Sequence, residues 1–278
     1  MNVLEMTGLV GMGAIGAGLL GSLTGLGGGV VIVPLLTLVF HVDIRYAIGA
    51  SLISVIATSS GSAAAYVREG YSNIRIGMFL EIATTLGAIV GAFLSGYIST
   101  SVIAIIFGAV LFYSAYLSIR PREEHSPAHV SRKLAVKLRL PSTYPVEGEM
   151  LQYGVNNVTG GFSLMGVAGV LSGLLGIGSG AVKVLAMDHF MRLPFKVSTT
   201  TSNFMIGVTA AASAGIYLHR GYIDPVLAMP VVLGVLGGSL VGTKILSRSK
   251  TRSLRILFSI VIFVLAMEML YNGISGKL

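Results

Sequence analysis

The sequence predicts an all-α polytopic membrane protein of two homologous repeats in inverted orientation. Each repeat carries a glycine-broken short helix or re-entrant hairpin plus about three full spans. Three observations predict this. Of 278 residues, 54% are hydrophobic and 11% charged, with a mean hydropathy of +0.85, whereas a water-facing surface needs far more charge. The apolar residues fall in runs, several of which approach the ~20 residues needed to cross ~30 Å of hydrocarbon. The pattern of runs also occurs twice.

The first set of apolar runs covers about 4–24, 28–40, 46–66, 76–98 and 101–119. The stretch from Met1 to Thr24 has no basic n-region and no small-residue cleavage site, and it leads directly into more apolar sequence, so it reads as a first helix and not a removed signal. From Arg120 to Met150 the chain is polar, with Pro121, Pro127, Pro141 and Pro145 and six Lys or Arg residues, and it reads as an inter-repeat loop. Apolar runs resume at about 153–175, 181–191, 197–218, 226–246 and 254–272. The expected organisation is an N-terminal membrane repeat (1–119), a polar loop (120–150) and a C-terminal membrane repeat (151–278).

A shift of 151 residues superposes the halves. It pairs Ser51 with Ser202, Thr58 with Thr209, Ser62 with Ser213, Tyr66 with Tyr217, Gly70-Tyr71 with Gly221-Tyr222, Gly87 with Gly238 and Gly91 with Gly242. Over residues 18–98, 19 of 81 positions are identical without a gap. Many are Gly, Ser, Thr and Tyr, not the Leu and Val that unrelated membrane helices share, which indicates an internal repeat. The turn at 99–101 carries no charge, whereas its counterpart holds Arg248, Lys250, Arg252 and Arg255. Under the positive-inside rule this asymmetry puts the copies in opposite senses, with the 120–150 and 247–255 loops cytoplasmic and both termini outside. The Arg192–Lys196 loop has its own positive counterpart in His41 and Arg45, so a parallel repeat stays open.

Each half contains a glycine break, Gly25-Leu26-Gly27-Gly28-Gly29 and Gly176-Ile177-Gly178-Ser179-Gly180, followed by a helix of only 11 to 14 residues. Non-helical backbone survives within a membrane only when buried in protein or lining a wet cavity, and each helical glycine costs about 1 kcal/mol relative to alanine. A re-entrant or broken helix whose N–H groups point to mid-membrane would attract an anion. The structural alternative is close helix packing through small residues, which accounts for Gly87, Gly91, Gly238 and Gly242. A dinucleotide-binding loop is discounted, since no strand-turn-helix unit with a ribose-binding acid surrounds either break.

The glycine break followed by a short helix with Pro34, the Ser198-Thr199-Thr200-Thr201-Ser202-Asn203 helix start, the Arg220-Gly221-Tyr222-Ile223-Asp224 turn and the duplication of the set together resemble the TauE/SafE sulfite exporter family of sulfonate-permease-type membrane transporters. The resemblance covers nearly the whole chain outside the 120–150 loop. It implies a prokaryotic inner-membrane carrier of small sulfur-containing or organic anions such as sulfite, thiosulfate or sulfonates, and members differ in substrate and direction.

Polar residues inside the runs supply the candidate site. Lys183 lies three residues beyond Gly180, where the first copy has Ile32. A lysine deep in a span costs about 2.5–3.5 kcal/mol and by default serves function. The expected anion-binding set is Gly27, Gly28, Gly29, Gly178, Ser179, Gly180, Lys183, Ser202, Asn203 and Ser51, with Glu81 as the carboxylate that couples a proton or ion. The structural readings set Lys183 in an ion pair with Asp188 or Glu81, or snorkelling to an interface, and give the hydroxyls to interhelical hydrogen bonds. Asp188, His189 and Glu268 are expected near surfaces. The net charge of +8 follows the loops and does not indicate nucleic acid. Cysteine is absent, and no histidine pair with a carboxylate has metal-ligand spacing within a span, so no metal or cofactor is expected. No P-loop and no paired aspartates are present, which disfavours a nucleotide-driven pump or an intramembrane enzyme. A secondary carrier leads, its partners the small anion and membrane lipid. A passive anion channel of the same architecture and a small-carboxylate transporter are the alternatives.

Overall fold

The computed structural model of the chain describes residues 3–24, 28–68, 70–119, 133–146, 149–246 and 251–277. The first half folds as α1 (Val3–Thr24), α2 (Gly29–Pro34) running on into a π-helical turn (Leu35–Val39), α3 (Ile44–Arg68), α4 (Ile74–Leu94) and α5 (Thr100–Ile119). After α6 (Lys133–Lys137) and strands β1 (Ser142–Val146) and β2 (Glu149–Tyr153), the second half shows the same order. It comprises α7 (Val158–Leu175), α8 (Gly180–Leu185) with its own π-helical turn (Ala186–Phe190), α9 (Phe195–His219), α10 (Pro225–Leu246) and α11 (Thr251–Ile274).

Correspondence at a shift of 151 extends to single backbone positions. His41 and Arg192 both adopt φ 53°, and Gly70 and Gly221 adopt 75° and 74°. The Val42 N–H donates to Leu36 O and the Leu193 N–H to Met187 O, each at 3.0 Å, so both short helices end in the same wide turn. Contacts between the halves correspond too. Gly18 lies against the Val235 backbone as Gly169 lies against Thr84, and Gly238 against the Ile15 carbonyl as Gly87 against that of Gly166. Close backbone approach thus accounts for Gly87, Gly91 and Gly238, while the surroundings of Gly242 lie outside the described residues.

These contacts set helix directions. α1 runs parallel to α10 and α7 parallel to α4. By contrast α3 and α9 are antiparallel, since Gly49 meets Tyr222, Ser59 meets Gly207 and the Asn73 N–H just beyond α3 donates to Thr201 Oγ1 at 3.0 Å. The pair α5 and α11 is antiparallel as well, with Gly273 against Ser101 and Ile105 and Phe112 against Phe263.

After the second break, α8 and its turn carry the chain back to the start of α7, where Asn156 N donates to Met191 O (3.0 Å). After the first, Leu35 packs on Gly13.

Polarity is distributed inside out. Met78, Ile82 and Leu86 share one face of α4 and are 62%, 57% and 60% exposed, while Ser51, Thr84, Ser172, Thr201, Thr209 and Ser213 are buried. Among the described residues Ile74–Leu94 and Val158–Leu175 are long and apolar enough to cross a bilayer. The other long helices carry apolar stretches at 5–20, 44–60, 100–116, 225–241 and 259–274.

The all-α expectation needs one correction, the antiparallel pair β1–β2, whose register sets Tyr144 opposite Leu151. Prolines and charges gave 120–150 the composition of a plain loop. At its end and just beyond, Thr143, Tyr144, Val146 and Tyr153 are residues that favour a pleated surface. The hairpin also takes Tyr153, the expected start of the next span, and α7 begins at Val158. Asn73 ties this segment to the bundle. It caps α4 by accepting from Ile76 N (3.0 Å) and donates to Leu140 O (3.1 Å) and Tyr153 Oη (2.7 Å).

Candidate functional site

The second break is a sharp turn between α7 and α8. Gly176 and Gly178 have φ of 68° and 71°, the left-handed region that glycine enters without steric cost, and Ser179 follows at 49°. The Ser179 hydroxyl is buried and has no hydrogen-bond partner among the described residues. One turn on, the Lys183 N–H donates to Ser179 O at 3.0 Å, so the lysine stands in the first turn of α8, directly after the break.

Lys183 is completely buried. Its Nζ donates to Thr209 Oγ1 (2.5 Å), and that hydroxyl, whose nearer acceptor is Glu81 Oε1 (2.6 Å) and whose other is Met205 O (2.9 Å), donates to the carboxylate, which also accepts from Thr85 Oγ1 (3.1 Å). A cation from α8 and a carboxylate from α4 therefore meet through one hydroxyl of α9. Among the described residues Glu81 Oε2 has no hydrogen-bond partner, and of the three donors of an ammonium one is matched. Among the described residues no direct ion pair forms between them. The alternative partner, Asp188, is buried and contacts the exposed His189 (3.4 Å). Glu268 is exposed.

The two breaks touch. Ser51 Oγ donates to Gly176 O at 2.8 Å. A Cβ on Gly29 would stand 2.6 Å from that same Ser51 Oγ and 3.1 Å from Gly176 O. Gly28 is buried, and its carbonyl accepts from Val31 N and Ile32 N, each at 3.1 Å, to open α2. Gly27, like Gly25 and Leu26, lies outside the described residues. Ser202 Oγ reaches Gly180 O at 3.4 Å. Asn203 is half-buried, and among the described residues no hydrogen bond joins it to either break. The structure thus brings Gly28, Gly29, Ser51, Gly178, Ser179, Gly180, Lys183, Ser202 and Glu81 into one region. The neighbouring Ser198 and Thr199 hydroxyls are also buried without partners.

Sequence reasoning missed Thr209, whose only signal was identity with Thr58 at the repeat offset. It also missed two arginines, one on the last carbonyls of α4 and one on carbonyls of the turn that follows it. Arg220 donates to Ala92 O and Phe93 O, both at 3.0 Å, and Arg45 to Ser95 O (3.3 Å) and Ile98 O (3.0 Å). A signal existed in the Arg220-Gly221 turn and in Arg45, each next to an apolar run, where a cation can complete a helix terminus.

Residues 10–269 match the family described as Sulfite exporter TauE/SafE. The chain is 29% identical over 273 residues to the probable membrane transporter protein YunE of Bacillus subtilis, covering 96% of this chain and 97% of that one. It is also 29% identical to the probable membrane transporter protein YdhB of the same organism, covering 79% and 82%. With the probable membrane transporter protein MJ0441 of Methanocaldococcus jannaschii it shares 26%, covering 91% of each. No solved structure matches the chain significantly.

Proposed function

The chain belongs to the sulfite exporter TauE/SafE family of membrane transporters, and we propose that it is a secondary carrier of a small, sulfur-containing anion such as sulfite, thiosulfate or a sulfonate in a prokaryotic inner membrane. The observation that carries this reading is Lys183, a wholly buried cation beside a hairpin tip with two N–H groups to spare. Removing a charge from water costs several kcal/mol unless it is matched, and a bound oxyanion supplies the match. The unpartnered Ser179 hydroxyl and the glycine-rich backbone of the meeting tips add polar groups suited to an anion that has shed its water.

Alternating access follows from the duplication. The antiparallel α3–α9 and α5–α11 pairs and the matched exchanges of α1 with α10 and α7 with α4 support two inverted repeats that rock about the meeting tips. Counterflow in proteoliposomes tests this reading. Unlabelled sulfite inside the vesicle should accelerate entry of labelled sulfite. Fast electrogenic flux without such acceleration would make the protein a channel. Acceleration by small carboxylates and not by sulfite, thiosulfate or sulfonates would overturn the substrate class.

A further inference from the structure

Lys183 and Glu81 are separated by a hydroxyl where a structural ion pair would close. Attraction between opposite charges grows as they approach, and unmatched lone pairs are costly in a dry interior. Here Thr209 Oγ1 accepts from the ammonium and donates to Glu81 Oε1. Glu81 Oε2 is left bare on a side chain only 7% exposed. The bare oxygen can accept a proton, and the spare ammonium N–H groups can donate to an anion.

Charge balance links these two events. With Lys183 charged and Glu81 ionised, the empty site is neutral. An arriving monovalent anion leaves one uncompensated negative charge at a cost of several kcal/mol. One proton taken from water onto Glu81 Oε2 restores neutrality, with the ammonium facing the anion and the carboxyl neutral. Among the described residues the other titratable groups on the neighbouring elements are engaged elsewhere or exposed. Helix α7 has no titratable residue. On α9, Lys196 is exposed with its ammonium over the Tyr71 ring, Tyr217 donates to Gly173 O at 3.2 Å, and His219 is exposed at the far end. On α4, Arg75 donates to Arg139 O, and after α8, Asp188 contacts His189. Resting on the anion-carrier reading above, we infer that the protein is a proton–anion symporter: Glu81 takes one proton for each monovalent anion bound at Lys183, and Thr209 is the positioning residue that keeps the two charges apart.

Calorimetry on the full chain in detergent tests this with methanesulfonate, an anion with no proton to exchange near neutral pH. Titrations in two buffers of different ionisation enthalpy count the protons taken up per anion. One proton is expected for the wild type, with Kd rising about tenfold per pH unit wherever the empty site is ionised. Glu81→Gln should give a count of zero and a flat Kd. Thr209→Val should lower the count, and Thr209→Ser should restore it, whereas a merely structural hydroxyl would change stability and leave the count at one. A wild-type count of zero, or a count of one in Glu81→Gln, overturns the coupling, and a count of one in Thr209→Val overturns the positioning role. If only sulfite binds, the difference in count between wild type and Glu81→Gln decides in the same way, one supporting the coupling and zero overturning it. If neither anion binds the folded wild type, the anion-carrier reading falls first and the coupling with it.

Discussion

Replacing Lys183 by methionine removes the charge and keeps most of the side-chain volume, and its two consequences can be measured separately. The first is on folding. The lysine is wholly buried and reaches Glu81 only through Thr209, so its loss strands a buried carboxylate. Breaking a buried pair from one side costs about 3–5 kcal/mol. The second is on binding. A charge-assisted hydrogen bond contributes about 1.5–3 kcal/mol, so anion affinity should fall about 10- to 150-fold. The double variant Lys183→Met/Glu81→Gln separates the two, because it removes the stranded carboxylate. Its unfolding temperature should recover toward wild type while its affinity stays low. The chain has neither tryptophan nor cysteine, so unfolding is followed by far-UV circular dichroism and binding by titration calorimetry with sulfite. A folded double variant that binds sulfite within about threefold of wild type would refute the role of Lys183 at the anion.

Three further outcomes follow from the geometry. A Cβ on Gly207 would stand 3.4 Å from Ser59 Cβ, close to the about 3.5–4.5 Å of a disulfide. Ser59→Cys/Gly207→Cys should therefore cross-link in an otherwise cysteine-free chain, and absence of the link by mass spectrometry would contradict the antiparallel α3–α9 pair. Gly29→Ala should cost about 1–3 kcal/mol of stability through overpacking at the meeting tips, whereas Gly215→Ala, with nothing within 4 Å, should be stabilising by up to about 1 kcal/mol; equal thermal shifts would refute the close approach of the breaks. Tyr153→Phe removes a hydrogen bond from Asn73 and should cost about 1 kcal/mol at neutral pH. Burial raises the Tyr153 phenol above its ordinary 10.0, so the folded state favours the neutral ring, and that stability is present below pH 10 and lost as pH climbs through the raised value. The gap between wild type and Tyr153→Phe in alkaline unfolding should accordingly narrow above pH 10, and a gap that widens would show the sign to be wrong.

Helix positions were legible because the bilayer imposes a simple code. Ten apolar runs became the helices and short broken helices at nearly the same bounds, and the glycines at 87, 91 and 238 marked real backbone contacts. The β1–β2 hairpin was hidden because prolines and charges outweigh a five-residue strand in any composition window. Lys183 and Glu81 were legible as charges where charge is costly. Thr209 was not, because a hydroxyl in a helix gives no sign of which way it bonds. Both Thr209 and its counterpart Thr58 reach a carbonyl one turn back in their own helix, Met205 O at 2.9 Å and Ser54 O at 3.0 Å, and the two threonines are the same in sequence.

What distinguishes those threonines is the company each keeps, and this locates the chemistry within the duplication. At the shift of 151, Lys183, Thr209 and Glu81 correspond to Ile32, Thr58 and Val232. The lysine and threonine come from the second half and the glutamate from the first, and they meet because α9 packs against both α4 and α8. A site assembled within one half could have been read from one half of the sequence, whereas this one needs the halves folded onto each other. The equivalent position, with isoleucine and valine in place of the two charges, keeps the shape of the scaffold and loses its polarity. On the proposed carrier reading, a second charged station would bind the anion more tightly and slow its release. Restoring the symmetry by Ile32→Lys with Val232→Glu should therefore leave the fold's helix contacts in place and slow transport turnover while anion binding per chain rises, and unchanged turnover would show that the asymmetry of the repeats is incidental.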